Sequence, residues 1–319
     1  MNPVPEGVGG EAGELLRLID SGEVLGATRQ LVLLGDCLTA LVRSEADEAA
    51  LRRSVSSVVE HVAGSRGESS QAVLNGLRLM AAPALAPAVT DHSLADAVES
   101  AVTAFRTSLD AWVSSVRGHA TELLSGHSTF LAYDYSSTVS RVLTDLRRHG
   151  RAVTVFLPEA RSLDGGVRYL ADWQDLGITA HLIPDAALAW ALGRCEVALA
   201  GAETLSREGG CYNTIGTAVT AHEARRLDVP FYVLSVLLKT DAHTRAGERA
   251  IPMLDFAARR ALGAEPTGGG VAVHGCFPDL DYTPPGVITG VVTESGVLAP
   301  GQVAEAARSL LHPGAPTRA

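Results

Sequence analysis

The sequence predicts an α/β protein, a helical N-terminal domain followed by a parallel-sheet domain. Three observations carry this. The first 125 residues place apolar side chains at helical spacing with few β-branched alternations. After Gly126 short apolar runs alternate with amphipathic stretches, the pattern of βαβ units. Gly150, Gly177 and Gly193 then stand where helix C-caps belong. The expected domains are residues 1–125, helical, and 126–319, the parallel-sheet domain.

The elements follow in order. Helices are predicted over 27–42, 45–62, 69–80 and 95–124, with breaks at 64–67 and in the Ala- and Pro-rich stretch 81–90. Strands are predicted at 129–133, 152–157, 179–183, 197–200 and 231–235. Helices at 137–148, 166–176, 186–193 and 214–226 separate them, and an apolar segment at 287–298 precedes a last helix at 301–311.

With 319 residues, 46% of them hydrophobic, the chain can build a full core. A net charge of −10 argues against nucleic acid or an anionic membrane surface as a partner. A small anion is still compatible, because local arginines and helix ends bind phosphate in acidic proteins. The N-terminus lacks a basic, apolar, cleavable pattern, and no apolar run reaches the roughly 18 residues of a membrane span. Cys37, Cys195, Cys211 and Cys276 are scattered without a CxxC spacing, which fits a reducing cytoplasm. The histidines form no HExxH-like pair, so neither a metal nor another cofactor is expected.

Lys239 is the only lysine among 26 basic residues, so a compact, titratable ammonium stands at a single place. It follows the apolar run 230–238, near the carboxyl end of a predicted strand, where open α/β sheets bind ligands. Asp134 and Glu203 follow two other predicted strands. Two carboxylates and one ammonium on one edge would suit proton transfer, and a solvated rim of salt bridges is the plain alternative. Ser136, Ser137 and Asn213 stand at predicted helix starts, where free N–H groups favour an anion and where polar caps are also ordinary. Cys211, in a Gly-rich turn, reads either as a reactive thiol or as a packed one.

At these residues the chain resembles the family that joins the regulatory subunits of eukaryotic initiation factor 2B with methylthioribose-1-phosphate isomerase and ribose-1,5-bisphosphate isomerase. The matching segments are GAETLSREGGCYNTIGT at 201–217, VPFYVLSVLLK at 229–239 and FPDLDYTPPGVITGVVTESGVL at 277–298. PEARSLDGG at 158–166 resembles the family's Glu-x-Arg turn, which brings in Arg161, and IPDAA at 183–187 its Asp-Ala turn. The resemblance implies a Rossmann-like second domain and a homodimer built on it. It also implies a phosphorylated small-molecule substrate, isomerised from aldose to ketose by a cysteine and an aspartate.

Asp134 aligns with that cysteine and Glu203 with that aspartate. Thr214 stands where the family carries a lysine, and Gly26-Ala27 match its N-terminal phosphate site without the arginine. The resemblance therefore implies Asp134 and Glu203 as an acid/base pair, with Asn213, Lys239, Arg161, Gly26 and Ala27 as binding residues, to which the helix start adds Ser136 and Ser137. It equally implies a second possibility, a non-catalytic relative of the initiation-factor type that binds a sugar phosphate or nucleotide.

Overall fold

The computed structural model describes residues 4–5, 7–21, 24, 27–45, 47–65, 70–86, 93–162, 164–241, 251, 253–256 and 275–311. By compactness the chain divides into two units, Met1–Trp112 with Ser309–Ala319, and Val113–Arg308. The long helix Leu94–Leu124 runs across that division, and residue 126 marks where helices give way to strands.

The first unit is helical: α1 (Gly10–Asp20), α2 (Ala27–Ser44), α3 (Glu48–Ala63), α4 (Gln71–Leu85) and the start of α5 (Leu94–Leu124). Helix α1 was not expected from the sequence. Its buried stripe of Ala12, Leu16 and Ile19 packs on α2. The break expected from 81 onward is also corrected, since α4 continues to Leu85 with Pro83 inside it. A proline there removes an N–H donor. The Arg52 guanidinium donates to the carbonyls of Ala84 and Ala86 at 2.9 and 2.6 Å, which satisfies the helix end.

The second unit is a seven-stranded sheet in the order β12-β11-β7-β4-β1-β2-β3. Its strands are β1 (Thr129–Tyr133), β2 (Thr154–Pro158), β3 (Thr179–Ile183), β4 (Val197–Ala200), β7 (Phe231–Leu234), β11 (Gly290–Thr293) and β12 (Gly296–Leu298). All neighbours pair in parallel except the closing β11–β12 hairpin. Strands β1 and β4 are buried almost throughout, as continuous apolar runs in a two-sided parallel sheet must be. Phe130, Val155, Val197 and Leu199 meet Val142, Leu143 and Tyr169 from the flanking helices α6 (Ser137–Arg148) and α7 (Gly165–Asp172). Helix α8 (Leu188–Leu192) follows β3.

The remaining strands depart from expectation. Residues 211–214 form β6 (Cys211–Thr214), not a turn and a helix start. It lies between β5 (Thr204–Leu205) and β10 (Leu280–Thr283) in an antiparallel three-stranded sheet. Helix α9 (Thr217–Arg226) therefore begins three residues later than predicted. Strands β8 (Met253–Phe256) and β9 (Gly275–Pro278) pair with each other, and α10 (Val303–Leu311) closes the described chain. Among the described residues, no helix is long and apolar enough to cross a membrane.

Candidate active site

Strands β1, β4 and β7 are consecutive in the sheet and parallel, so their carboxyl ends share one edge. Asp134 follows β1 directly, Glu203 lies three residues beyond β4, and Lys239 ends a single 3₁₀ turn beyond β7.

Asp134 adopts a left-handed backbone, φ 55°, which is uncommon outside glycine and repeatedly marks functional turns. The surrounding structure enforces it. The Tyr169 hydroxyl donates to the Asp134 carbonyl at 2.9 Å and accepts the Ser136 N–H at 3.1 Å, so one buried tyrosine ties both sides of the turn. The Thr214 hydroxyl donates to Asp134 Oδ2 at 2.6 Å. Gly165 opens helix α7 so close to Asp134 Oδ1 that a methyl group there would overlap it. The Tyr133 hydroxyl donates to the Ile215 carbonyl at 2.8 Å and packs against Gly216, whose φ of 102° only glycine adopts easily. This pins the β6–α9 connection to β1.

The electrostatics are those of crowded carboxylates. Burial raises the proton affinity of Asp134 above the ordinary carboxyl range, and the negative charge of Glu203 adds to this. The Thr214 hydroxyl, the Tyr135 N–H and Arg168 work against the rise. Asp279, which the sequence reading passed over, also holds its proton more tightly through burial and repulsion by Glu203 and Asp134. The charge of Glu203 thus acts on both Asp134 and Asp279. The Lys239 ammonium donates to the Ala202 carbonyl at 2.6 Å, one residue before Glu203. The Glu294 carboxylate accepts the Leu237 N–H at 2.9 Å and fixes the turn that carries Lys239.

The other expected binding residues are placed as follows. Asn213 is buried on β6, and its amide donates to Thr217 Oγ1 at 3.0 Å, a bond within the β6–α9 junction. Ser136 Oγ accepts the Val139 N–H at 3.4 Å as an ordinary cap, and Ser137 is exposed in the first turn of α6. The Arg161 N–H and the Ala160 N–H both donate to the Asp185 carboxylate at 3.0 Å, which joins the two turn motifs. The Arg161 guanidinium is exposed and lies 3.7 Å from Glu159 Oε2. Ala27 opens α2 in the helical unit, and Gly26 lies outside the described residues.

The anion expected at the helix start after Asn213 meets a correction. The Asp281 carboxylate already accepts the N–H groups of Gly216 and Ala218 at 2.7 and 3.1 Å. A side chain of the protein's own fills that helix end, which a carboxylate suits for the same reason a phosphate would. Cys211 is fully buried, and burial pushes its thiol up to about 12, so no thiolate is available near neutral pH. The described residues hold no group of three or more His, Cys, Asp or Glu side chains arranged for a metal ion.

Asp281 gives a pH prediction. Burial raises it from 3.8 to about 6, against the two N–H donors. An acid that binds its proton more tightly folded than unfolded contributes stability fully present below the unfolded value and lost as pH rises through the folded one. The melting temperature of the wild type relative to Asp281→Asn is therefore expected to rise from pH 7 to pH 5. Thermal melts of both proteins at the two values check it, and a constant or falling difference contradicts it.

A family model described as the initiation factor 2 subunit family matches residues 26–300. A methylthioribose-1-phosphate isomerase of Klebsiella pneumoniae is 34% identical over 181 residues, 53% of this chain and 52% of the relative. A 5-deoxyribose 1-phosphate isomerase of Moorella thermoacetica is 30% identical over 233 residues, 68% of this chain and 66% of the relative. The eIF2B subunit alpha of Caenorhabditis elegans is 24% identical over 208 residues, 63% of this chain and 66% of the relative. The chain spans about half the length of the first and about two thirds of the other two.

Among solved structures, the Pyrococcus horikoshii OT3 translation initiation factor eIF-2B gives a TM-score of 0.77 at 20% identity, over 93% of this chain and 98% of that one. The 5-methylthioribose 1-phosphate isomerase of the same organism gives 0.71 at 20% identity, over 94% and 88%. These two likenesses are of fold.

Proposed function

From the premise that the chain belongs to the initiation factor 2 subunit family, we propose that it is an isomerase-like enzyme acting on a phosphorylated sugar or related metabolite. Asp134 and Glu203 exchange protons with the substrate. The observation that carries this reading is the pair itself. By the resemblance two ionisable groups stand for the family's cysteine and aspartate, and the charge of Glu203 raises the proton affinity of Asp134.

The chemistry follows from that repulsion. One proton shared between two neighbouring carboxyl groups leaves one as donor and its partner as acceptor. The acceptor takes a proton from the carbon beside a carbonyl while the donor protonates the carbonyl oxygen, giving an enediol. Returning a proton to the neighbouring carbon and withdrawing one from the second oxygen completes an aldose–ketose shift. Loss of a hydroxyl from the same enediol, carrying the donated proton away as water, would make the reaction a dehydration. Lys239 supplies positive charge at the Ala202 carbonyl, next in sequence to Glu203, and by the resemblance Arg161 stands at the family's Glu-x-Arg turn. The protein acts in the cytoplasm as a homodimer built on residues 126–319. Light scattering at micromolar concentration checks the assembly, and a monomer contradicts it.

A non-catalytic reading draws on a specific observation too. By the resemblance, the family's cysteine is absent at Asp134 and its lysine at Thr214, so the ordinary thiol-dependent reaction is lost. One experiment separates the two readings. Mass spectrometry of the gently purified protein identifies the co-purifying metabolite, which is then returned to the protein in deuterium oxide. Deuterium entering a carbon-bound position supports the enzyme. Tight binding without exchange supports the regulator.

A further inference from the structure

The positions where this chain departs from the family's pattern are not independent. By the resemblance Asp134 stands for the cysteine and Thr214 for the lysine, and the two side chains meet at 2.6 Å. We propose that Thr214 is a positioning residue that holds the Asp134 carboxylate in one orientation and tunes it for proton transfer. This rests on the enzyme reading for its purpose and on geometry for its substance.

Thr214 is built to hold a fixed direction. It ends β6, is 5% exposed, and pairs in register with Leu280 of β10. Its β-branched side chain has few rotamers. Its carbonyl accepts the Thr217 hydroxyl at 2.7 Å, which anchors the strand end to helix α9. Tyr169 holds the Asp134 backbone carbonyl, and Gly165 lies close against Oδ1. Oδ2 on the other side takes the Thr214 hydroxyl.

A neutral donor has a consequence that a lysine would not. An ammonium would hold Asp134 ionised, whereas a hydroxyl stabilises the charged form only in part. The charged and titratable groups facing Asp134 are Glu203, Asp279 and Arg168, together with Tyr133, Tyr135 and Tyr169. Burial and Glu203 favour the proton, and the Thr214 hydroxyl, the Tyr135 N–H and Arg168 oppose it. Removing the hydroxyl shifts this balance toward the protonated acid.

The test is a titration of the full chain labelled with 13C at the aspartate carboxyl carbons, the Asp134 signal being assigned by its loss in Asp134→Asn. Thr214→Val keeps the shape and removes the donor. It is expected to raise the proton affinity of Asp134 about tenfold. Thr214→Ser keeps the donor and is expected to stay near the wild type. Should Thr214→Val not fold, Thr214→Ala carries the same expectation. An unmoved Asp134 in the donorless variant, or an equal rise in Thr214→Ser, overturns the proposal. Since no ligand is needed, a rise confined to the donorless variant upholds the hydrogen bond's role even where deuterium exchange fails, and in that case only the enzyme reading is lost.

Discussion

Asp134→Asn is expected to lower turnover by about 10²–10⁴-fold while leaving the melting temperature close to the wild type. The amide has nearly the shape of the carboxyl group, and its oxygen can still accept the Thr214 hydroxyl that now meets Oδ2 at 2.6 Å. What it cannot do is give or take a proton. Glu203→Gln is expected to have an effect of the same order by the same argument. Because both groups act on one proton, the double variant should be scarcely worse than either single one. Affinity for the metabolite should change little in all three, since binding draws on other groups. Calorimetric affinities set beside initial rates make the comparison. Unchanged turnover in either single variant removes that carboxylate from the mechanism.

The second large effect is steric. Gly165→Ala adds a methyl group that overlaps Asp134 Oδ1 and presses on the Tyr135 backbone nitrogen. Neither neighbour can yield easily. The Asp134 turn is fixed by Tyr169 and Thr214, and the Tyr135 nitrogen belongs to the backbone. The expected cost is about 1–3 kcal/mol of stability, the usual range for overpacking a tight site. Turnover should fall together with it, because the carboxylate must swing away from the substrate. Gly286→Ala is the control, as a methyl there meets nothing within 4 Å. Chemical denaturation and rate measurements on both variants test the claim. A Gly165→Ala protein with wild-type stability and rate would show that Asp134 moves freely.

The two effects differ in how far the sequence foretells them. Asp134 and Glu203 could be named in advance because strands β1 and β4 are unbroken apolar runs, and such runs in βαβ alternation bring their carboxyl ends to one edge. Lys239 could be named for the same reason and because no other lysine exists. Gly165 could not. Its closeness to Asp134 comes from how α7 packs on β1, and that packing leaves no mark in the composition of either segment.

The helical unit divides in the same way. The stripes of α2, α3 and α5 have the apolar spacing of amphipathic helices and were legible. The continuation of α4 through Pro83 was not, because the donor that completes the helix end comes from Arg52 on another helix. Propensity describes a segment by itself, and a proline-bearing end is tolerated only when a distant group satisfies its carbonyls.

The sequence alone was enough for the class of fold and the family. Which groups surround Asp134 was decided by contacts between distant segments. Strand β6 is four residues of mixed character, and it becomes a strand by pairing with β10, more than 60 residues further on. That pairing delivers Thr214 to Asp134 and places Asp281 on the end of helix α9. Proton affinities follow from the same packing, because burial and neighbouring charge set them and neither is a property of a residue in isolation.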